Sequence, residues 1–205
     1  MPGALLAAAS GCYHRSRSGA RARDAPLAAP DLTTSAKDSR RALPFSERQF
    51  RDAMAQLAMG VSVICARTPD GRFVGFTANS FNSVSLDPPL VVWTLAYKAA
   101  NIATFEAAER YAINVLAHDQ VELARRFSRP HADRFAGVPY RLGTSGAPLI
   151  EGCIAWFECK QHTQLKAGDH LLFLGEVEHC ERRTGIGLVF HHSRFAMPQP
   201  LSDSG

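Results

Sequence analysis

Nothing in this 205-residue chain approaches the roughly 20 consecutive apolar residues that cross a bilayer, so no membrane partner is expected. Cysteine is scarce and unpatterned: Cys12, Cys65, Cys153, Cys159 and Cys180 are odd in number, form no Cys-x-x-Cys pair and mostly sit inside apolar runs. They read as reduced, packed thiols, which favours a cytoplasmic compartment over an exported, disulfide-stapled one. His162, His170, His179, His191 and His192 do not combine with cysteines or carboxylates at zinc spacing, and no metal site is expected. Gly185 and Gly187 lack the third glycine and the helix of a dinucleotide fingerprint, and no phosphate-loop motif occurs, which excludes a Rossmann-type site. Ser145 in Gly143-Thr144-Ser145-Gly146 has loop on both sides instead of the strand and helix of a nucleophile elbow.

A surplus of one charge is also missing where it would matter. The formal net charge of +4 falls entirely within residues 1–44, whereas residues 45–205 hold 16 basic and 16 acidic side chains. A balanced folded part gives no basic face and no support for a nucleic-acid partner. The first 44 residues are rich in Ala, Arg, Ser and Pro, without an acidic residue before Asp24. That composition fits an organelle transit peptide, and a disordered extension or a start codon assigned too early explains it as well. The expected organisation is an extension over residues 1–44, one domain over 45–198 and a flexible tail over 199–205.

What is present is a strongly apolar chain, 46% hydrophobic, organised around the stretch from Val61 to Leu95. An apolar run over residues 61–66, a turn at Pro69-Asp70-Gly71 and a second run to Phe76 read as a β-hairpin. Residues 77–85, Thr-Ala-Asn-Ser-Phe-Asn-Ser-Val-Ser, are polar between two runs that call for burial. They read either as a loop satisfying its own backbone or as a cradle whose short side chains let a planar polar ligand approach. Asp87-Pro88-Pro89 then leads into a strand over 90–95.

Upstream, Ser46 and Gln49 fit a capping box, and Phe50, Met54 and Leu57 recur on one face of a helix ending at Gly60, a stripe read as core. Its neighbour Arg51 is read as solvated, with contact to a ligand or a subunit interface as the alternative. Downstream, Lys98 precedes a short helix through about Ala108 whose start could hold a phosphate. A strand over 111–116 and a helix through Phe127 follow. Residues 128–148 read as a long loop whose start carries Arg129, His131, Asp133, Arg134 and Phe135. Two strands over 154–162 and 170–177 are joined through Gly168-Asp169, with a last short strand near 188–191. This pattern is mainly β with α additions, an antiparallel barrel or sandwich.

The segments Gly60–Val63, Gly75–Val91, Asp133–Val138, Gly168–His170 and Gly175–Val177 together resemble, in order and spacing, the short-chain flavin reductase family. The resemblance covers about residues 46–197. It implies an antiparallel FMN-binding split β-barrel of about six strands, a homodimer that binds FMN or FAD and is reduced by NADH or NADPH. It further implies that reduced flavin passes to a partner flavin-dependent monooxygenase. Carried over residue by residue, it places Thr77, Ala78, Asn79, Ser80, Phe81, Ser83 and Ser85 against the flavin. Lys98, Asn101 and Thr104 would lie near its phosphate, Phe135 at the cofactor, and His170 over the flavin as the catalytic, nicotinamide-facing residue. A strand-end histidine merely bonded to Asp169 is the other reading of His170. Family members often carry hydroxyls where this chain has Ala99 and Ala100. A non-catalytic flavin-binding or redox-sensing module, and a split-barrel oxidase acting on an organic substrate, are the alternative functions.

Overall fold

The computed structural model describes residues 43–130, 133–199 and 201, so the expected extension lies almost wholly outside the described residues. In chain order the elements are α1 (Glu47–Met54), β1 (Met59–Gly60), β2 (Ser62–Arg67), β3 (Phe73–Ala78), β4 (Asn82–Leu86) and β5 (Pro89–Ala96). There follow α2 (Ile102–Ala107), β6 (Arg110–Val115), α3 (Val121–Ser128), β7 (Tyr140–Leu142) and β8 (Pro148–Ile150). The chain closes with β9 (Ala155–Ala167), β10 (His170–Arg182), β11 (Val189–His191) and β12 (Arg194–Ala196). The molecule is mainly β with three short helices among the described residues, as the alternating apolar runs imply.

Seven strands form one antiparallel sheet in the order β3-β2-β6-β9-β10-β5-β4. The hairpin expected around residues 69–71 joins β2 to β3. Thr68 N–H donates to the Arg72 carbonyl at 2.8 Å, and Gly71 supplies the left-handed φ of 87° that the turn needs. Gly168, at φ 60°, does the same between β9 and β10, where His170 pairs with Ala167.

β2 shows why an apolar run without polar alternation is still a strand. Ile64 and Ala66 point into one core and Val63 and Cys65 into another, so both faces are buried. The first core is aromatic: Trp93 stacks on Phe173 with centroids 3.9 Å apart and meets Tyr111 and Phe105 edge-on at 5.2 and 5.4 Å. Such contacts add about 0.5–1.5 kcal/mol per pair beyond area burial. The second core lies under α3, where Phe127 and Ala124 cover Val61, Val63 and Cys65. Burial pushes the thiols of Cys153 and Cys159 up to about 12, and raises that of Cys65 as well, so these cysteines are packed apolar groups and poor nucleophiles.

Five readings of the sequence need correction. The capping box forms, Gln49 N–H donating to Ser46 Oγ at 3.2 Å and Ser46 N–H to Gln49 Oε1 at 2.7 Å. But α1 ends at Met54, not Gly60, and its stripe is not core: Phe50, Met54 and Leu57 are 55%, 43% and 53% exposed. Just after the helix, the Ala55 and Gln56 carbonyls tie the chain to the β11–β12 turn, and among the described residues the Phe50, Met54 and Leu57 face stays largely exposed. Residues 82–86 are a strand, β4, which pairs with β5 through a register shift at Ser83/Ser85. The expected long loop contains a hairpin, β7 paired with β8, and a further strand, β12, follows His191.

Candidate functional site

The polar segment after β3 is divided among three surroundings. Thr77, next to last in β3, lies against α3, where its hydroxyl donates to the Ala124 carbonyl at 2.7 Å. Ala78 is buried in the aromatic core, so only its backbone can face a ligand. Asn79 is half-buried and looks into a cavity. Ser80 turns back to β5: its Oγ accepts from Thr94 N–H at 3.1 Å and donates to the Thr94 carbonyl at 3.4 Å. Phe81 packs on Phe157, with ring centroids 5.3 Å apart. Ser83 and Ser85 lie on β4 at the sheet edge, and Ser85 Oγ accepts from Asp87 N–H at 3.2 Å.

The Ser80 bond to Thr94 ties this segment to the corner where β5 and β10 end. His170 pairs with Ala96, two residues beyond Thr94, a spacing of about 7 Å along the strand. His170 Nδ1 lies 2.7 Å from Asp169 Oδ1, and Tyr97 N–H donates to the Asp169 carbonyl at 3.0 Å. The hydrogen bond and charge of His170 hold the Asp169 carboxyl below its ordinary range, and Lys98 adds a smaller pull in the same direction. A carboxylate acceptor keeps the imidazole proton on Nδ1, which leaves Nε2 for another partner. Lys98 itself is exposed. Beyond it Asn101 occupies the N-cap of α2 yet makes no side-chain cap bond, and its buried Nδ2 has no partner among the described residues.

A cavity of about 730 Å³ opens on the other side of Thr77 and Asn79. That volume lies within the range of small-molecule sites. One wall is α3 and the residue after it, with Val121, Arg125, Ser128 and Arg129; the opposite wall is the β11–β12 hairpin, with Phe190, Ser193, Arg194 and Phe195. Among the described residues no carboxylate lines it. The hairpin turn holds two successive non-glycine residues in the left-handed region, His192 at φ 48° and Ser193 at φ 58°. It is anchored to the end of α1: His192 N–H donates to the Ala55 carbonyl at 2.9 Å, and His191 Nε2 lies 3.1 Å from the Gln56 carbonyl. A smaller recess of about 200 Å³ shares Asn79, Phe190 and Ser193 with this cavity and adds Arg51, which ion-pairs with Glu47.

Thr104 and Phe135 go elsewhere. Both line a separate cavity of about 540 Å³ beside the β2–β3 hairpin, where Phe135 is 8% exposed and packed edge-on against Phe127, centroids 5.0 Å apart. The structure therefore gathers Thr77 and Asn79 at one cavity, Ser80, Lys98 and His170 at one sheet corner, and Thr104 with Phe135 at another cavity. Sequence reasoning missed Arg125, Ser193, Arg194 and Phe195 as site residues. The available signal was the four-residue spacing of Arg125 and Arg129 near the end of a helix, which puts both on one face.

The flavin reductase like domain profile matches residues 54–197. The chain is 42% identical over 155 residues to a probable flavin reductase of Rhizobium meliloti (strain 1021), covering 76% of this chain and 50% of that protein. It is 38% identical over 155 residues to the reductase component of a flavin-dependent trigonelline monooxygenase of Acinetobacter baylyi (strain ATCC 33305 / BD413 / ADP1), covering 76% of this chain and 50% of the relative. The chain thus spans about half the length of these two curated relatives. Among solved structures, the NADH:FAD oxidoreductase of Streptomyces globisporus C-1027, in complex with NAD and FAD fragments, superposes with a TM-score of 0.71 at 36% identity, covering 77% of this chain and 94% of that one. By profile, relatives and fold, the chain belongs to the flavin reductase like domain family.

Proposed function

We propose that this protein is an NAD(P)H-dependent flavin reductase, which moves a hydride from NADH or NADPH to FMN or FAD and supplies the reduced flavin to a partner flavin-dependent monooxygenase. The observation that carries this reading is the placement of Thr77 and Asn79, short and polar, at the edge of a 730 Å³ cavity in a chain of this family. Bound flavin would supply the hydride acceptor, so the protein's share is orientation and electrostatics.

The residues present suit that share. Asn79 offers a carboxamide to a polar ring edge. Asn101 Nδ2 is a buried donor without a partner among the described residues, and Lys98 is an exposed cation a few residues before it, a combination suited to a phosphate. The six-residue α2 adds little, so grip at that corner rests on side chains. His170, oriented by Asp169, presents Nε2 to the nicotinamide carboxamide. We assign Ser80, Phe81, Ser83 and Ser85 to shaping the segment along which the flavin lies.

We further place the catalytic domain at residues 45–198, as a homodimer in the cytoplasm. The exposed α1 stripe, and Val84 and Leu86 on edge strand β4, 53% and 78% exposed, support an unpaired apolar surface for a second copy. Among the described residues no helix is long and apolar enough to cross a membrane.

The test is purified protein with NADH or NADPH against FMN, FAD and riboflavin, followed at the nicotinamide absorbance. Flavin-dependent consumption is expected, and none with any pair overturns the reading. His170→Ala should lower kcat/KM by several-fold to about thirtyfold while flavin affinity holds, the scale of one lost hydrogen bond.

A further inference from the structure

The cavity beside the β2–β3 hairpin, about 540 Å³ in volume, takes no part in the proposed flavin reduction, yet it is lined like a ligand site. Part of the lining is aromatic. Phe73 meets Phe135 and Tyr140 edge-on, centroids 5.9 and 5.5 Å apart, and Phe135 meets Tyr140 in the same way at 5.8 Å. Phe73 and Tyr140 are only half-buried, so their rings border the space. The polar part of the lining is mostly engaged. Arg72 pairs with Asp70 at 2.7 Å, the Thr68 hydroxyl donates to the Arg72 carbonyl at 2.9 Å, and Asp133 Oδ1 accepts from the N–H of Phe135 at 2.9 Å and of Ala136 at 3.2 Å. Arg134 differs. Its Nε donates to the Arg129 carbonyl at 3.1 Å and its Nη1 to the Gly75 carbonyl at 3.2 Å, and among the described residues it has no carboxylate partner. A guanidinium carries five N–H donors, so two bonds fix its plane and leave donors to offer. Thr104 lines the same cavity, with a hydroxyl that bonds to nothing among the described residues.

We infer that this cavity is a second ligand site, which takes an aromatic carboxylate, and that its occupancy is coupled to the flavin cavity. A carboxylate meets the guanidinium fork with both oxygens, and a ring placed beside Phe73 and Tyr140 continues their edge-on packing. The charges select a monoanion. Arg72 is already paired and Asp133 borders the same space, so Arg134 is the cation left for the ligand. A phosphate with two negative charges would meet Asp133 without a second unpaired cation to offset it. The coupling runs through Arg134. Its two carbonyl bonds tie Gly75 on β3 to Arg129, just after α3. Arg129 lines the flavin cavity, and so does Thr77, two residues beyond Gly75. A ligand that holds Arg134 therefore bears on both residues at once, and any effect on flavin affinity is returned as an equal effect of flavin on the ligand.

The test takes benzoate as the probe, with benzamide as a ring without the charge and acetate as the charge without a ring. Each is titrated by calorimetry against the full chain and its Arg134→Gln, Arg134→Lys and Tyr140→Leu variants. Benzoate should bind the wild type about tenfold tighter than benzamide or acetate, and weaken about five- to thirtyfold in Arg134→Gln. Lysine at 134 should restore part of the loss, because the charge returns without the fork. Tyr140→Leu should weaken benzoate severalfold and leave acetate unchanged, a result that carries the test even if Arg134→Gln does not fold. Saturating benzoate should shift FMN affinity about threefold or more, saturating FMN should shift benzoate affinity by the same factor, and Arg134→Gln should remove the linkage. Equal affinity for benzoate and benzamide, or no benzoate binding to the wild type, overturns the site. Strict competition between benzoate and FMN overturns it too, since the probe would then sit in the flavin cavity. Arg134-dependent benzoate binding with FMN affinity unmoved overturns the coupling. Benzoate binding and linkage in a protein that oxidises no NAD(P)H would leave the site standing and remove the reductase reading.

Discussion

The β7–β8 hairpin and the arginine-walled cavity both concentrate charge, but they resolve it in opposite ways. Glu158, on β9, is 5% exposed, and its Oε2 accepts from Ser145 N–H at 2.8 Å and from Thr144 Oγ1 at 3.0 Å. Burial works to raise its pKa, and the bonds from Ser145 and Thr144 outweigh that, so the carboxyl is held below its ordinary value. At the cavity, Arg129 and Arg194 are exposed and have no acceptor among the described residues. A charge whose partners come from the fold is a structural group, because removing either side leaves a buried polar atom unsatisfied. Charges that surround a cavity and are left to water can change partners, and a ligand can supply one. The Gly143-Thr144-Ser145-Gly146 turn, which could be mistaken for a nucleophile elbow, belongs to the first kind. Its Ser145 N–H is given to Glu158, and its Oγ accepts from Ala147 N–H at 3.3 Å.

The largest effect should come from crowding the satisfied charge. A Cβ at Gly143 would overlap the Glu158 carboxylate, which is pinned from the other side and cannot give. Gly143→Ala should cost roughly 1–3 kcal/mol or more by overpacking, read as a lowered denaturant midpoint with an unchanged slope. Glu158→Gln should cost about 1–2 kcal/mol as the charge-assisted bonds weaken. It should also change the pH profile. Because the folded pKa lies below the unfolded one, the ionised carboxylate stabilises the fold fully above about pH 4.3 and loses that effect as pH falls through the lower folded value. The Gln variant should lack this part of the acid dependence. A Gln variant with the wild-type acid profile would place Glu158 among the indifferent charges. Ligand affinity should hold in both variants, since neither residue lines the large cavity.

A middle-sized effect probes the edge between the two kinds of group. Asn79→Leu replaces a carboxamide at the cavity mouth with a branched apolar chain, leaving polar ligand atoms unpaired at about 1–3 kcal/mol. Flavin affinity should fall by roughly tenfold or more with the melting temperature nearly unchanged. Unaltered flavin titration would return residues 77–80 to the role of a connection between β3 and β4.

What could be read from the sequence divides along similar lines. The capping box at Ser46 and Gln49, the turn at Gly71 and the turn at Gly168 depend on residues within four positions of one another, so local patterns found them. β4 was hidden because an edge strand borders solvent and tolerates the hydroxyls of Ser83 and Ser85, which in sequence look like loop. β7 and β8, three residues each, were masked by the glycines and prolines around them. The apolar spacing of Phe50, Met54 and Leu57 correctly announced a face, but periodicity does not say what covers it. Val61 through Phe76 was legible as a hairpin, whereas the cavity was not. Its walls come from β3, α3 and the β11–β12 hairpin, and no spacing along the chain links Asn79 to Arg125 or to Arg194.

The smallest effect concerns the turn that carries Arg194. His192 holds φ 48° with a Cβ, and its exposed side chain does not line the cavity. A left-handed conformation costs an L-residue roughly 1–2 kcal/mol, and glycine escapes that cost while losing about 0.5–1 kcal/mol to its freer unfolded chain. His192→Gly keeps the backbone N–H that donates to the Ala55 carbonyl and loses only the edge contact between the His191 and His192 rings, centroids 4.2 Å apart. The balance predicts a gain of up to about 1 kcal/mol, read as a small rise in melting temperature, with flavin affinity within twofold of wild type. Ser193→Gly should give a similar gain in stability, but Ser193 lines the cavity, so a change in ligand affinity belongs to it and not to His192. A melting temperature that falls by several degrees in His192→Gly would mean that the ring contact, and not the backbone, holds the hairpin against α1.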